Sequence, residues 1–421
     1  MLTQKYILSA HSRIQHYVRK TPVLDLPAGD FLPDSQVVLK LEHLQHTASF
    51  KARGAFNAML SQDVPDSGVI AASGGNHGAA VAYAANTLGH RAEIFVPEII
   101  GPAKLARLKS YGATLHVGGR DFADALAACQ ARQQETGALL LHAYDQAEIL
   151  AGQGTVAVEF EDQAPTLDTV LVAVGGGGLI GGIASWYQGR TRVIAVESTG
   201  TPTLYTARQK GEPAEVTVSG LAADALGARR IGDLGFAAAQ AYVDQCLLVS
   251  DEQIVAAQQR MWDQFRLILE PGGATAIAAL TSGVYKPAKG DIARRFASEG
   301  ARVILADTVS DPLEGGPTTD SLITDAGGTC LSIPTDVSSW SAIDAAITQT
   351  IATFGRLDVM VNNAAVSDGY RLLDTTEESW DRVMSINLKG VYFGCKRAIQ
   401  QMVKQDPLDG DEARGRIVNI S

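Results

Sequence analysis

The run Thr169-Val170-Leu171-Val172-Ala173-Val174 leads without a break into four glycines, Gly175-Gly176-Gly177-Gly178, and then into the apolar stretch Leu179 to Trp186. No other feature narrows the fold as much. Consecutive glycines break any helix, so Val170 to Trp186 reads as strand, loop and helix and not as a membrane span. A strand that passes through a short loop into a helix is half of a parallel α/β unit. The loop also has a chemical reading: glycines let several backbone N–H groups converge on a phosphate, with a helix N-terminus behind them. Its plain alternative is a tight strand-to-helix turn.

The same rhythm extends on both sides. Between about 50 and 148 the apolar strands Gly68–Ala72, Ala92–Val96 and Thr114–Val117 alternate with helical stretches, which describes a small parallel α/β unit. A larger unit resumes at Thr169, runs through Val193-Ile194-Ala195-Val196-Glu197, and reaches Leu267-Ile268-Leu269 ahead of the turn Glu270-Pro271-Gly272-Gly273. Residues 1–45 supply an amphipathic helix and the strand Val37–Glu42. A polar break at Lys286-Pro287-Ala288-Lys289-Gly290 precedes a new helix, Asp291 to Glu299, which feeds the strand Ala301–Asp307. Pro312 to Thr319 reads as a surface loop.

With 421 residues and 46% hydrophobic content, the chain has material for two domains or more. A net charge of -11 excludes nucleic acid and anionic membrane as natural partners, so local donors must hold any anionic substrate. Cys129, Cys246, Cys330 and Cys395 lie far apart with no CxxC spacing, which fits reduced thiols and a cytoplasmic enzyme. The N-terminal residues have no sustained apolar core for a signal peptide.

Two further loops fit the tetraglycine. Ala48-Ser49-Phe50-Lys51-Ala52-Arg53-Gly54 sets a lysine at a loop-to-helix junction. An amine that condenses with a carbonyl must lose its charge, and burial, a nearby cation such as Arg53, or a helix N-terminus can each favour the neutral form. In Ser73-Gly74-Gly75-Asn76-His77-Gly78 the glycines allow close backbone approach and Asn76 can hydrogen-bond a ring substituent. His77 taken alone reads as structural. An amine, an amide with backbone donors and a phosphate cradle together specify an aldehyde cofactor that carries a phosphate.

On these pieces residues 1–288 resemble the serine/threonine dehydratase branch of the fold-type II pyridoxal-phosphate enzymes. Arg19-Lys20-Thr21-Pro22, Ser49–Ala55, Ser73–Gly78, Gly152-Gln153-Gly154-Thr155, the tetraglycine and Glu270-Pro271-Gly272-Gly273-Ala274 match in order. The resemblance implies two open α/β subdomains, the smaller (about 48–148) inserted in the larger. It implies that Lys51 is catalytic and holds pyridoxal phosphate covalently, that Gly175, Gly176, Gly177 and Gly178 bind its phosphate, and that Asn76 meets its ring hydroxyl. Ser73, Gly74 and His77 would receive the substrate carboxylate. The implied reaction is β-elimination: Lys51 removes the α-proton of L-threonine, L-serine or a related β-hydroxy amino acid, the β-hydroxyl leaves, and a 2-oxo acid and ammonia result. Relatives that racemise serine carry a serine where this chain has Gly74, so racemisation is disfavoured. Thr203 stands where metal-binding relatives place an acid six residues after Glu197, so no metal is expected. A homodimer is compatible with the family.

Residues 289–421 instead resemble an internal piece of a short-chain dehydrogenase/reductase, an incomplete Rossmann-like α/β fragment. Asp307, Asp336, Asn362 and Asn387 match positions that serve NAD in that family, in Ala301–Asp307, Thr335-Asp336-Val337, Val361-Asn362-Asn363-Ala364 and Ile386-Asn387-Leu388. The glycine-rich loop is missing ahead of Asp291. By the usual spacing Ser421 lies one residue short of the catalytic serine, and no Tyr-x-x-x-Lys follows. These four residues are therefore expected to be vestigial, and neither NAD nor NADP is expected to bind. The alternatives to a working dehydratase are an oxidoreductase, which the missing parts argue against, and an inactive fusion of two truncated enzymes. The Ser- or Cys-Gly-Gly-Asn turn that faces the cofactor's pyridine nitrogen in the first family is also absent, with its strand. Ala301–Ala306, apolar and partly β-branched, is a candidate for that vacant slot.

Overall fold

The computed structural model describes residues 2–27, 29–32, 35–285, 291–309, 318–366, 375–408, 410 and 412–420. The chain forms two compact units, Met1–Pro287 and Ala288–Ser421. The polar break at Lys286–Gly290, most of the loop read over Pro312–Thr319, and Ser421 lie outside the described residues.

The first unit opens with α1 (Gln4–Ile14), capped by the Thr3 hydroxyl, and the antiparallel pair β1 (Val23–Leu26) and β2 (Val37–Lys40). Helix α2 (Lys51–Leu60) leads into the smaller subdomain: β3 (Val69–Ala72), α3 (Asn76–Leu88), β4 (Ala92–Val96), α4 (Pro102–Ser110), β5 (Thr114–Val117), α5 (Phe122–Thr136) and β6 (Leu139–Leu140). Its sheet is all parallel in the order β5-β4-β3-β6. β3 is buried at every position, as a strand covered on both faces must be. Alanines 52, 55, 79, 80, 82, 84 and 85 fill much of this core, and such small side chains let α2 and α3 pack closely.

Helix α6 (Ala147–Gln163) carries the chain to the larger subdomain. There follow β7 (Thr169–Ala173), α7 (Gly178–Tyr187), β8 (Arg192–Ser198), α8 (Thr203–Lys210), α9 (Ala223–Leu226), α10 (Asp233–Tyr242), β9 (Gln245–Val249), α11 (Asp251–Phe265) and α12 (Pro271–Thr281). Among the described residues β7, β8 and β9 form a parallel sheet in that order, which leaves β7 at an edge. Leu267–Leu269, apolar in sequence, is an irregular connection and not a strand. Gly152 on α6 fixes the spacing to α2, since a Cβ there would lie 2.6 Å from the Arg53 carbonyl oxygen.

The second unit contains α13 (Asp291–Ser298), β10 (Arg302–Asp307), α14 (Thr319–Asp325), β11 (Thr329–Pro334), α15 (Trp340–Phe354), β12 (Val359–Asn362), α16 (Glu377–Met384), α17 (Val391–Met402) and β13 (Arg416–Asn419). Its described strands make two separate parallel pairs, β10 with β11 and β12 with β13. This corrects one expectation from sequence. Ala301–Ala306 does not complete the larger sheet of the first unit, because Arg302 to Asp307 pair in register with Thr329 to Pro334. No described helix is long and apolar enough to cross a membrane.

Candidate active site

Lys51 is the first residue of α2. Its Nζ donates to the carbonyl oxygen of Ala143 at 2.7 Å and lies 5.3 Å from the centre of the Phe50 ring. Burial of the amine pushes its pKa down to about 8. The sequence suggested Arg53 as a contributing cation, and the structure assigns that residue elsewhere. Arg53 is fully buried and its guanidinium bridges Glu42 (2.8 Å) and Glu159 (2.7 Å). Lys40 closes the cluster at 2.8 Å from Glu159. Two cations and two carboxylates thus neutralise one another beneath α2 and fix its N-terminal turn.

The tetraglycine lies between β7 and α7, with Gly177 in the left-handed region (φ +93°) as the N-cap. No side chain caps α7. Among the described residues, no acceptor meets the backbone N–H groups of Gly176, Gly177, Gly178 or Leu179. A Cβ at Gly175 would press on Leu226 at 3.0 Å, one at Gly176 would overlap the Tyr144 ring, and one at Gly177 would lie 2.8 Å from Ile231. The loop therefore presents a row of unengaged donors at the positive end of a helix, and only glycine fits it.

One segment ties the lysine to this loop, and sequence reasoning missed it. Leu141 to Asp145 follows β6 at the C-terminal edge of the smaller sheet. Ala143 accepts from Lys51, and Tyr144 packs on Gly176 and Gly178 while its hydroxyl donates to Arg230 O at 3.2 Å. Asp145 caps the start of α10 by accepting from the N–H groups of Asp233 and Leu234. His142 Nδ1 accepts from the N–H groups of Tyr144 and Asp145, and burial lowers its pKa. The available signal was position: parallel α/β sheets place ligands beyond the carboxyl ends of their strands.

The third loop joins β3 to α3. Ser73 Oγ accepts from the Gly75 N–H at 3.3 Å. Gly75 is the N-cap of α3 and no side chain caps the helix. Asn76, expected on a cofactor ring, donates through Nδ2 to both carboxylate oxygens of Glu270 at 2.9 and 3.1 Å. The imidazole of His77 does not face a substrate: it is buried, its Nε2 lies 3.0 Å from Leu141 O, and burial pushes its pKa down to about 3. Any contact His77 makes with an anion falls to its backbone N–H. Gly74 backs onto Ile100, whose Cδ1 would lie 2.7 Å from a Cβ at that position. A cleft beside this loop is lined by Asn76, Lys104, Arg107, Asp224 and Glu270. The ion pair of Lys104 with Asp224 and the Asn76–Glu270 hydrogen bonds join the smaller subdomain to the larger across it.

Glu197 and Thr203 meet directly, with Thr203 Oγ1 2.8 Å from Glu197 Oε1. The described residues contain no cluster of three or more His, Cys, Asp or Glu able to hold a metal. In the second unit the four residues matched to NAD positions do not converge on a shared partner. Asp307 accepts from the Val309 N–H and Asp336 from the Ser338 N–H. Asn362 donates to Asn419 Oδ1 at 2.8 Å, and Asn387 exchanges two hydrogen bonds of 2.9 Å with the backbone of Val366. Asn387 lies in a π-helical turn, Ser385–Gly390.

Comparison with known proteins adds two matches of different kinds. Residues 14–296 match the family profile described as pyridoxal-phosphate dependent enzyme, and residues 290–421 match that of the short chain dehydrogenases. The chain is 36% identical over 285 residues to the L-threonine ammonia-lyase of Geobacter sulfurreducens, which covers 66% of this chain and 71% of that one. It is 34% identical over 302 residues to the serine racemase of Dictyostelium discoideum, covering 68% and 91%. Among solved structures, maize serine racemase superposes with a TM-score of 0.66 at 31% identity, over 69% of this chain and 89% of that one.

Proposed function

The chain belongs to the pyridoxal-phosphate dependent enzymes through residues 14–296, and from that premise we propose that it converts a β-hydroxy amino acid such as L-threonine or L-serine into a 2-oxo acid and ammonia by β-elimination. The residues present fit the cofactor. A buried amine with its pKa near 8 stands on the same short segment, Ala143-Tyr144, that packs against the glycine cradle. The unengaged N–H groups of Gly176 to Leu179 suit a phosphate dianion. Bound there, pyridoxal phosphate supplies an aldehyde that captures amino groups and a ring that stabilises negative charge at Cα.

The protein's part is to position groups and move a proton. Lys51 would hold the cofactor through Nζ, and its neutral amine, when free, would take the proton from the substrate Cα. The N–H groups at the start of α3 hold the substrate carboxylate, which the imidazole of His77 does not reach. The contacts of Lys104 with Asp224 and of Asn76 with Glu270 bridge the two subdomains beside the loop that starts α3. Loss of the β-hydroxyl as water releases an enamine. Its hydrolysis returns one water and frees ammonia, so the net change is one amino acid to one 2-oxo acid and one ammonia.

The feature that favours elimination over racemisation is Gly74: racemisation needs a second acid on the face opposite Lys51, and a glycine has no side chain to supply one. Borohydride reduction of protein incubated with pyridoxal phosphate, followed by peptide mass mapping, tests the first part; label on Lys51 is expected. Keto-acid release from L-threonine or L-serine, abolished in Lys51→Ala, tests the second. Protein that cannot be labelled at Lys51, or D-serine formed faster than pyruvate, would overturn the reading.

A further inference from the structure

Glu197, at the end of β8, is fully buried and no step of the proposed reaction uses it. Two N–H groups, a thiol and a hydroxyl surround its carboxyl group. Oε1 meets the Thr203 hydroxyl and the Leu204 N–H, each at 2.8 Å. Oε2 meets the Tyr205 N–H at 2.8 Å and the Cys246 thiol at 3.4 Å. Burial raises this carboxyl's pKa above the usual range even though the N–H groups of Leu204 and Tyr205 oppose the shift. The Thr203 hydroxyl, itself fully buried, also lies 2.7 Å from the carbonyl oxygen of Gly175, the first residue of the glycine cradle.

A hydroxyl has one proton, and a carbonyl can only accept. The Thr203 hydroxyl can donate to Gly175 O at 2.7 Å, with Glu197 Oε1 as the second oxygen within its reach at 2.8 Å. The peptide joining Gly175 to Gly176 is planar and trans, so its C=O and N–H point in opposite directions. Pinning the oxygen on Thr203 turns the Gly176 N–H, one of the unengaged donors, to the other side. A carbonyl that accepts also polarises its peptide and strengthens that N–H as a donor. The following peptide is pinned in the same way, by the Gly232 N–H on Gly176 O at 3.0 Å.

We propose that Thr203, held by Glu197, is a positioning residue for the phosphate end of the cofactor: it orients the Gly175–Gly176 peptide so that the cradle is formed before the phosphate arrives. This rests on the cofactor reading above. The test compares full-length wild-type protein with Thr203→Val and Thr203→Ser, using two probes, pyridoxal phosphate and pyridoxal, which has the aldehyde but no phosphate. Affinity is read from the absorbance of the lysine adduct, and the phosphorus NMR signal of bound pyridoxal phosphate reports on the cradle.

Thr203→Val should bind pyridoxal phosphate about fivefold to tenfold more weakly, as loss of one buried hydrogen bond implies, and pyridoxal within about twofold of wild type. Its phosphorus signal should move, and Thr203→Ser should restore both affinity and signal. Equal losses for the two probes in Thr203→Val would reduce Thr203 to general support of the fold and overturn the proposal. So would unchanged binding of both. Wild-type protein that takes up neither probe on Lys51 would instead overturn the cofactor reading, and the proposal with it.

Discussion

The depressed pKa of Lys51 makes a quantitative prediction about how the apoprotein takes up its cofactor. Only the neutral amine attacks an aldehyde. With the pKa moved from 10.5 to about 8 by burial, about 9% of Lys51 is neutral at pH 7, against about 0.03% for an ordinary lysine. The pre-organised amine is thus ~300-fold more abundant at neutral pH than that of a solvated lysine, a difference of about 3.4 kcal/mol. Because the folded pKa is lowered, the sign is fixed: uptake must rise with pH below 8 and level off above it. The assay is the stopped-flow rate of adduct formation between apoprotein and pyridoxal phosphate from pH 7 to 10, with Lys51→Ala as the blank. The expected half-point is near pH 8. A rate still climbing steeply at pH 10 would show that the amine is solvated, and the account of Lys51 would fail.

Four substitutions probe the rest of the site. Gly176→Ala places a Cβ on the Tyr144 ring and should lower cofactor affinity by about tenfold or more, read by absorbance titration. Arg53→Met removes the cation that Glu42 shares with the buried Glu159 and leaves Lys40 to offset Glu159, and urea denaturation should show a loss of about 3 kcal/mol in the first unit. Lys104→Ala removes an ion pair whose side chains are 40% and 71% exposed; such pairs contribute about 0–1 kcal/mol, so KM should rise no more than about fivefold with kcat unchanged. Gly74→Ser, which asks only the far end of the Ile100 side chain to shift, should begin to form D-serine from L-serine, read by chiral chromatography.

The elements that carry the site were legible because each leaves a local mark. Thr169–Gly178 gives strand, loop and helix by composition alone, and Ala92–Val96 and Thr114–Val117 are strands over the same residues in the structure. What stayed hidden depended on pairing across the chain. Arg53 sits two residues from Lys51 in sequence, yet its guanidinium is committed to Glu42 and Glu159, so burial alone lowers the lysine. The Leu141–Asp145 hub has no motif: backbone oxygens of Leu141 and Ala143 act beside the side chains of His142, Tyr144 and Asp145, and only the folded chain shows what they meet. His77 divides between the two: the plain structural reading fits its ring, which turns inward to Leu141, while its N–H stays at the helix start.

In the second unit the four matched residues keep separate partners. In a Rossmann-like sheet, Asp307 and Asp336 follow one strand pair and Asn362 another, and a strand between the pairs would bring their carboxyl ends onto one ligand. Here β10–β11 and β12–β13 are separate sheets among the described residues. Asp307 and Asp336 each accept from N–H groups of their own loops. A dinucleotide needs backbone donors for its pyrophosphate between the first strand and first helix. The residues ahead of α13 belong instead to the match with the pyridoxal-phosphate enzymes, which runs to residue 296. The contrast with the first unit is physical: there, Lys51, the tetraglycine and the start of α3 are joined through the Leu141–Asp145 segment by hydrogen bonds and packing.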